Sequence, residues 1–512
     1  MAEEKIWNRK HKEDLNDKPL AQKMIWNGHH GENSNDKTPP YGLPYEVIEI
    51  DSALDRRITR KFDTHIVPWL FGLWLLAFID RSNIGNARID GLSTDLKLNG
   101  DRFNIALTVF YVPYILIDVP SNWVVKHVGA GYYLPGLLIG WGVVSTCMGA
   151  VKTYGDLIAA RFFLGLCEGG LLGGMVLYLS MFYRRHEMLF RLGLFYCAAP
   201  LSGAFGGLLA TGLAQIRFHG YNRWPWIFFV EGAISVLFGM LTICFLPHTP
   251  MQAKCLTEEE KVAAVARMKL DAHGASNKSN VESERFAWRW VRMAVFNWNT
   301  VLLSLNFFAI ITPIYSFSLF LPTIIRSLGY SSVKAQLFTV PPNMGGFFMV
   351  IIGTYVSDKI KMRGPIMIVG CLLAIIGYIM LLVPARPIVH YGGTFFIAAG
   401  VFPSSPAVMA WLANNLAPHY VRATGTGLQI AIANCAAFIA TFTYLQRDAP
   451  HYIAGHSINL GFLVLSIILS TTIMFYAKWE NSKRARGDRD HRLAEGDQGM
   501  LGYRHPYFRY TK

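Results

Sequence analysis

The sequence predicts an all-α membrane protein with 12 transmembrane helices, arranged as two six-helix bundles with both termini in the cytoplasm. Three observations support this prediction. Of the 512 residues, 52% are hydrophobic and only 16% are charged, whereas about a quarter of the residues in an average soluble domain are charged. Apolar blocks of roughly twenty residues recur with short polar breaks, which is the length that a bilayer requires of a helix. A longer polar stretch, residues 247–299, divides these blocks into two sets of six.

The blocks divide the chain into five segments with different environments. Polar segments with few large aliphatic side chains cannot offset the entropy that is lost on ordering. The predicted segments are a disordered cytoplasmic N-terminal tail (1–61), an N-terminal six-helix bundle (62–246), a central cytoplasmic loop (247–299), a C-terminal six-helix bundle (300–478) and a cytoplasmic C-terminal tail (479–512). In the central loop, Thr257 and Glu260 have the spacing of a capping box, which predicts the start of a short helix.

Six apolar blocks in each half are the predicted membrane spans. The first six lie at about 65–84, 103–125, 132–151, 157–182, 191–214 and 224–246. The second six lie at about 300–323, 335–357, 365–383, 391–416, 423–445 and 459–478. Proline removes a backbone hydrogen bond, so breaks are predicted in spans eight and ten, at Pro341, Pro342, Pro403 and Pro406. Glycines at four-residue spacing predict close helix packing in span four, at Gly165, Gly169 and Gly173.

The distribution of basic residues predicts which side faces the cytoplasm. Lys and Arg exceed Asp and Glu by 48 to 34. They concentrate in alternate loops, such as those with Arg184 and Lys359, and in the central loop and both termini, as the positive-inside rule requires. Because these cations border apolar spans and do not form one soluble face, no nucleic-acid partner is expected.

Ionisable residues inside predicted spans are the candidates for function, because a charge at the bilayer centre costs on the order of 3 kcal/mol. The substrate- and ion-coupling candidates all lie in the first half, at Asp80, Arg81, Asp118, Arg161 and Glu168. A desolvated carboxylic acid can bind and release a proton in the neutral range, as a proton-coupled carrier requires. Arg161 precedes Glu168 by seven residues, about two helical turns, so the two share a face and one can neutralise the other or a neighbouring helix.

Structural roles are open alternatives for several of these positions. Asp80 and Arg81 lie near the end of span one, where an interfacial ion pair that stiffens a turn explains them as well as a functional role does. Glu231, at the start of span six, is interpreted as a packing anchor at the membrane edge. The second half has almost no buried charge, so its candidates for cavity lining are neutral amides, at Asn306, Asn343, Asn414, Asn415, Gln429 and Asn434.

Motifs of other functional classes are missing from the sequence. It has no Gly-x-Ser-x-Gly elbow, no phosphate-binding Gly-x-x-x-x-Gly-Lys-Ser/Thr motif and no His cluster spaced for a di-iron site. The protein is therefore not expected to be an enzyme, and no cofactor or metal is expected. A channel is disfavoured because no repeated selectivity-filter segment is present.

Several motifs resemble the fungal anion:cation symporter branch of the major facilitator superfamily, which includes allantoate and nicotinate permeases. They are Ile79–Ala87 at the end of span one, Val119–Asn122 after span two, Arg161–Gly169 in span four and Trp226–Gly232 in span six. The resemblance covers about residues 60–480. It implies the major facilitator fold, with a central cavity and import of small organic acids with protons. By the same resemblance, Arg81 or Arg161 would attract a carboxylate while Glu168 or Asp118 carries the proton.

Some positions depart from the pattern of this branch. Asp118 stands where many relatives have Glu, and Gly173-Gly174 replaces the usual Pro-Gly of span four. The loop signature is approximate at Gly353–Lys359, with its glycine one position early.

The sequence thus predicts a secondary active transporter that is proton-coupled. It would move a small organic acid or vitamin-like anion across the cell membrane by alternating access, as a monomer in the lipid bilayer. One alternative keeps the fold and reverses the direction: an exporter of a fungal secondary metabolite, since Pro200 and Gly203 partly match an antiporter motif. A non-transporting nutrient receptor is the second alternative.

Overall fold

The computed structural model describes residues 51–184, 187, 191, 194–213, 216, 223–274, 288–360, 362–417, 419–494 and 501–511. Its elements are helices, which satisfy every backbone hydrogen bond within one segment and so suit a membrane interior. In the first half these are α1 (Ser52–His65), α2 (Val67–Ala87), α3 (Arg102–Val128), α4 (Ala130–Met148), α5 (Tyr154–Glu168), α6 (Leu171–Phe182), α7 (Ala198–Leu213) and α8 (Arg223–Phe245).

The remaining helices belong to the central loop and the second half. The central loop contains α9 (Glu258–Gly274) and α10 (Trp288–Val295). The second half contains α11 (Trp298–Ser327), α12 (Ser332–Leu337), α13 (Val340–Ile360), α14 (Gly364–Leu382), α15 (Pro387–Asn414), α16 (His419–Asn434), α17 (Ala436–Thr441) and α18 (Ile453–Ala485). A π-helical turn, Arg88–Leu92, follows α2 directly.

The lengths and compositions of these helices match a protein with twelve spans. Within the described residues, 10 helical stretches are long and apolar enough to cross a membrane. α3 and α4, with 27 and 19 residues, are also long enough to span a bilayer and complete the twelve. The predicted all-α membrane architecture is confirmed.

Segments outside the spans have more structure than the sequence predicts. α1 begins at Ser52, inside the predicted N-terminal tail, and Asp51 caps it by accepting a hydrogen bond from the Ala53 amide (3.0 Å). Residues 1–50 of that tail lie outside the described part. In the C-terminal segment, α18 continues to Ala485, and residues 501–511 return to the second half. There the Thr511 amide donates to Asn415 Oδ1 (2.7 Å), and Asn415 Nδ2 donates to the Thr511 carbonyl (3.2 Å).

The predicted capping box of the central loop is confirmed. The Thr257 amide donates to Glu260 Oε2 (2.8 Å), and the Glu260 amide donates to Thr257 Oγ1 (3.4 Å). Lys61 of α1 also binds both carboxylate oxygens of Glu260 (2.8 and 2.6 Å), which holds α9 against α1. Burial alone would raise the pKa of Glu260, but the hydrogen bonds from Lys61 and Thr257 outweigh it and hold the pKa below the usual 4.5.

One of the two predicted proline breaks is present, because in span eight α12 ends at Leu337 and α13 begins at Val340, just before the proline pair. Pro403 and Pro406 lie inside α15, which is continuous. The proline pair at 341–342 lies in the first turn of α13, where the missing amide hydrogen would have had no helical partner. Span four, in which glycine spacing predicted only close packing, is broken at Gly169–Gly170, between α5 and α6.

The two halves meet along helices from the middle of the molecule to its outer end. α2 packs against α11, α7 packs against α12 and α13, and α3 packs against α17. At the outer end, Asn104 Nδ2 donates to the Thr441 carbonyl (2.5 Å), and Gln336 Nε2 donates to Asp90 Oδ2 (2.5 Å). These contacts fasten the halves together on the side opposite the central loop.

Candidate substrate and ion-coupling site

A cavity lies between the two halves, near the middle of the spans. Helices of both halves form its wall, so a solute in the cavity contacts both halves, as alternating access requires. The wall is mostly apolar and aromatic, and its polar side chains include Arg81, Tyr114, Tyr196, Tyr315, Ser405 and Asn434.

Arg81, which lines this cavity, belongs to a buried ion pair. Arg81 Nε donates to Glu168 Oε1 at 2.5 Å, and the two side chains are 8% and 1% exposed. Arg81 lies in the outer half of α2, and Glu168 is the last residue of α5, so the pair joins spans one and four. Arg81 Nη2 has no hydrogen-bond partner among the described residues. Part of the hydrogen-bonding capacity of this guanidinium is therefore unused.

The break in span four positions Glu168. Gly170 has a φ of 86°, a left-handed conformation that residues with a side chain rarely adopt. A Cβ at Gly170 would also overlap the side chain of Ser121 on α3. Irregular backbone at membrane depth is tolerated where it is buried in protein or lines a cavity. Because α5 ends here, Glu168 lies at the end of a half-helix, where it accepts the hydrogen bond from Arg81 of α2.

Aromatic rings surround the guanidinium of Arg81. Its Cζ lies 4.5 Å from the ring centroid of Tyr114, 5.5 Å from that of Phe78 and 5.7 Å from that of Phe110. Rings at these distances stabilise a cation through their quadrupoles. Trp74 packs edge-on against Phe78, with 5.2 Å between centroids. The result is a cation held in an aromatic wall.

Asp80 lies on another side of α2, because successive helical residues are about 100° apart. Its Oδ1 accepts a hydrogen bond from Ser145 Oγ on α4 (3.1 Å). Arg161 and Glu168 on α5 act on it electrostatically. Arg161 is 2% exposed, and its Nε and Nη2 have no hydrogen-bond partner among the described residues. Asp80 and Arg81 thus contact different helices and do not form the interfacial pair that the sequence left open.

The structure brings together four of the five charged candidates: Asp80, Arg81, Arg161 and Glu168 form one buried cluster in the first half. The side chain of Asp118, the fifth, lies outside the described part of the structure. Among the neutral candidates, Asn434 lines the cavity and accepts a hydrogen bond from the Tyr315 hydroxyl (3.3 Å).

The other amides are not part of the described cavity wall, which corrects the prediction for this structure. Asn306 and Gln429 bond to neighbouring helices and so hold those helices together. Asn343 bonds to a carbonyl four residues earlier in the chain, and Asn415 bonds to the C-terminal segment. Asn414 is half-buried at the end of α15. The partners of the others are Ser466 and Ser470 for Asn306 (2.6 and 2.8 Å), the Thr339 carbonyl for Asn343 (2.9 Å), Thr511 for Asn415, and the carbonyls of Leu303 and Val408 for Gln429 (3.3 and 3.4 Å).

The aromatic part of the site was missed in the sequence, although a signal for it is present. Trp74, Phe78 and Arg81 stand at positions i, i+4 and i+7 of one helix, the spacing of a single face. All three line the cavity. An aromatic stripe that ends in a buried cation is therefore the pattern that could have marked this face of span one.

Membrane-length helices around a central cavity define the class of this protein, a membrane transporter. A sequence profile described as Major Facilitator Superfamily matches residues 70–441. The chain therefore belongs to the major facilitator superfamily, and the resemblance found in the sequence is confirmed.

Fungal transporters are similar to this chain over most of its length. The High-affinity nicotinic acid transporter of Saccharomyces cerevisiae is 32% identical over 461 residues, which cover 89% of this chain and 85% of the relative. The MFS-type transporter efuF of Hormonema carpetanum is 33% identical over 439 residues, which cover 85% of this chain and 88% of the relative. These similarities establish transport across a membrane as the general activity.

Solved structures support the fold. A bacterial homologue of the human lysosomal transporter Spinster, in an inward-facing and unoccupied conformation, aligns with a TM-score of 0.62 at 15% identity, covering 80% of this chain and 96% of that one. The proton:xylose symporter XylE bound to 6-bromo-6-deoxy-D-glucose aligns with a TM-score of 0.61 at 16% identity, covering 82% and 96%. At these identities the likeness concerns the fold alone.

Proposed function

We propose that this protein is a proton-coupled carrier that imports a small organic anion across the plasma membrane by alternating access, and that it works as a monomer. The observation that carries the proposal is the buried guanidinium of Arg81, paired with Glu168 in the wall of a cavity between the halves. A planar guanidinium in a mostly apolar wall favours a carboxylate over a neutral solute.

Competition for Arg81 explains how an anion and a proton can move together. A solute carboxylate that binds Arg81 displaces the carboxylate of Glu168. Glu168 then stays buried without its partner, and an uncompensated buried charge costs about 3–5 kcal/mol. Binding of a proton by Glu168 removes this cost. The site is therefore most stable with both anion and proton bound, or with neither, and a carrier with this preference couples the two fluxes.

The rings around Arg81 favour a planar solute of vitamin size. Tyr114 lies beside the guanidinium, and Trp74, Phe78 and Phe402 add further aromatic surface to the cavity. A planar ring in the solute gains favourable offset or edge-to-face contacts with such surfaces. The yeast relative is named for nicotinic acid, a planar monocarboxylate, which supports the same class of substrate here.

Contacts at the outer end support a carrier that opens on one side at a time. Arg326 Nη1 and Ser332 Oγ both donate to the Ile89 carbonyl (2.6 and 3.0 Å), which holds α11 and α12 against the turn after α2. These bonds must break before the cavity opens outward. A fixed site that is exposed alternately to the two sides by rocking of the halves is the mechanism of such carriers.

Uptake of matched acid and amide pairs tests the proposal. Cells that express the protein, and control cells without it, receive labelled nicotinate or nicotinamide, and benzoate or benzamide, at acidic external pH. An acid should accumulate, by up to about tenfold per proton for a gradient of one pH unit, and a protonophore should abolish the accumulation. The amides should not accumulate. Equal transport of acid and amide would contradict the role of Arg81, and protein-dependent extrusion of the acids would favour the exporter.

A further inference from the structure

Glu231 is a buried acid that the coupling scheme does not use. It lies on α8 and is 2% exposed, and neither of its carboxyl oxygens has a hydrogen-bond partner among the described residues. Asp80 acts on it electrostatically from α2. The sequence favoured a packing anchor at this position, but an anchor does not require an ionisable group. A buried carboxyl without partners calls for a physical explanation.

The packing around Glu231 brings its helix close to Asp80. α4 and α8 approach so closely that a Cβ on Gly232 would lie 2.7 Å from the carbonyl oxygen of Gly142. Ser145, about one turn further along α4, donates to Asp80 Oδ1 (3.1 Å). Asp80 Oδ2 has no partner in the described part of the chain. Asp80 and Glu231 therefore border the same contact of α2, α4 and α8.

The charges of this cluster do not balance if every acid is ionised. Asp80, Glu168 and Glu231 are three carboxyl groups, and Arg81 and Arg161 are two guanidinium groups, all between 1% and 7% exposed. An excess negative charge in such a dry region is strongly unfavourable, and one bound proton removes it. Glu168 is bonded to Arg81, and Asp80 is bonded to Ser145 and lies near Arg161. Glu231 is thus the acid best placed to hold the proton.

Other titratable groups beside α8 have different partners. In the turn between α2 and α3, Asp90 accepts a hydrogen bond from Gln336 (2.5 Å), and Asp95 accepts one from Trp224 at the outer end of α8 (2.8 Å). α4 presents the neutral Ser145 to Asp80. The acid that interacts with Glu231 is therefore Asp80, with Arg161 and Glu168 behind it on α5.

We propose that Glu231 is a second proton-binding residue of this carrier. It holds a proton while Glu168 is paired with Arg81, and it exchanges this proton with Asp80 when α2 moves against α4 and α8. In the exchange, the O–H bond of the Glu231 carboxyl breaks and an O–H bond forms on the Asp80 carboxylate, so the negative charge moves to Glu231. The proton then passes from Asp80 to Glu168, which acts on Asp80 electrostatically, once the solute has displaced the Glu168 carboxylate from Arg81. Glu231 takes a new proton from solution, so its loss removes the supply of the proton that accumulation needs. Two neighbouring acids that share one proton are a known way to place a proton site in a dry environment. This inference rests on the proposed function.

Glu231→Gln tests the inference, because glutamine has nearly the shape of the protonated acid but cannot release a proton. Proteoliposomes with the wild type or the variant are tested with labelled nicotinate in two assays. Exchange of internal for external nicotinate needs no net proton movement, whereas accumulation driven by a pH gradient does. The variant should exchange nicotinate at the wild-type rate. Under a gradient of one pH unit, it should accumulate nicotinate to a level about tenfold or more below that of the wild type, because it can no longer use the gradient.

Ser235→Ala is the matched control. Ser235 lies about one turn along α8 from Glu231 and is 1% exposed, so its loss changes buried polarity without removing a titratable group. It should leave both assays unchanged. Normal accumulation by Glu231→Gln would overturn the inference, because Glu231 would then be a permanently neutral packing residue. Loss of exchange and accumulation together in a folded variant would also overturn it. A wild type that exchanges nicotinate but never accumulates it would instead overturn the proposed function.

Discussion

The two halves of the molecule place polar groups in the membrane in different ways. The first half buries acids and guanidinium groups in one cluster, built from α2, α4, α5 and α8. The second half joins its helices mainly with neutral amides and hydroxyls: Asn306 of α11 accepts from Ser466 and donates to Ser470 on α18. Buried charge is costly unless it is used. Under the proposed function, the first half would recognise the anion and the proton, and the second half would supply a neutral wall against which the first half moves.

One buried histidine qualifies this contrast. His456 on α18 is 3% exposed, and its Nδ1 is 3.0 Å from the hydroxyl of Tyr444, which also accepts from Asn459 (3.3 Å). The second half therefore contains an ionisable group, but one held in a network of neutral partners. No acid is among these partners, so the network is consistent with a structural role.

The largest effect is expected from Arg81→Lys, which keeps the charge but loses the planar fork that binds a carboxylate. The change weakens the pair with Glu168 and the site for the solute together. Loss of a hydrogen bond to a charged group, about 1.5–3 kcal/mol, corresponds to a decrease in uptake of roughly 10- to 100-fold. Initial uptake rates, normalised to the protein at the cell surface, measure this effect. Uptake within a few-fold of wild type would show that Arg81 does not bind the solute.

A smaller effect, on stability alone, is expected from Asn306→Ala in the second half. The variant loses two side-chain hydrogen bonds between α11 and α18, each worth about 0.6 kcal/mol in membrane proteins. The melting temperature in detergent should decrease, while the affinity for the solute and the pH dependence of uptake should stay as in the wild type. A changed pH dependence would show that coupling extends into the second half, and the contrast between the halves would fail.

The smallest effect is expected outside the membrane, at Glu260. Its pKa is lowered in the folded protein, so its ionised form stabilises the fold above the usual pKa of 4.5, and this stabilisation is lost as the pH falls below that value. Glu260→Gln should therefore lower the melting temperature slightly at neutral pH, and the difference from wild type should shrink at more acidic pH. Melting curves at several pH values provide the test, and transport should not change. A difference that grows on acidification would contradict the assignment.

The fold was largely predictable from the sequence, because span length and loop charge are local properties. The capping box of Thr257 and Glu260 was predictable for the same reason. The pairing of Arg81 with Glu168 was not, since the two are 87 residues apart and their meeting depends on the break at Gly169–Gly170. Gly170 has a left-handed backbone conformation inside an apolar block, and hydropathy does not depend on backbone conformation.

The amide candidates show where sequence reasoning failed. An Asn or Gln inside a span can face a cavity or bond a neighbouring helix, and both roles leave the same sequence pattern. Asn434 has the first role, and Asn306 and Gln429 have the second. Because buried charge is costly, acids and guanidinium groups inside spans predicted the site better than the amides did. This cost does not distinguish a packing anchor from a proton site at Glu231.

The most direct test of the account is proton movement that accompanies the solute. Wild-type protein and Glu168→Gln are reconstituted in vesicles with a pH-sensitive dye, and a nicotinate gradient is applied without a pH gradient. The wild type should move protons in the same direction as nicotinate. The variant should move no protons. In the wild type a proton neutralises the Glu168 carboxylate after the solute displaces it from Arg81, and the amide of glutamine cannot bind that proton. Nicotinate transport by the wild type without proton movement, or unchanged proton movement in the variant, would contradict the coupling of anion and proton at the Arg81–Glu168 pair.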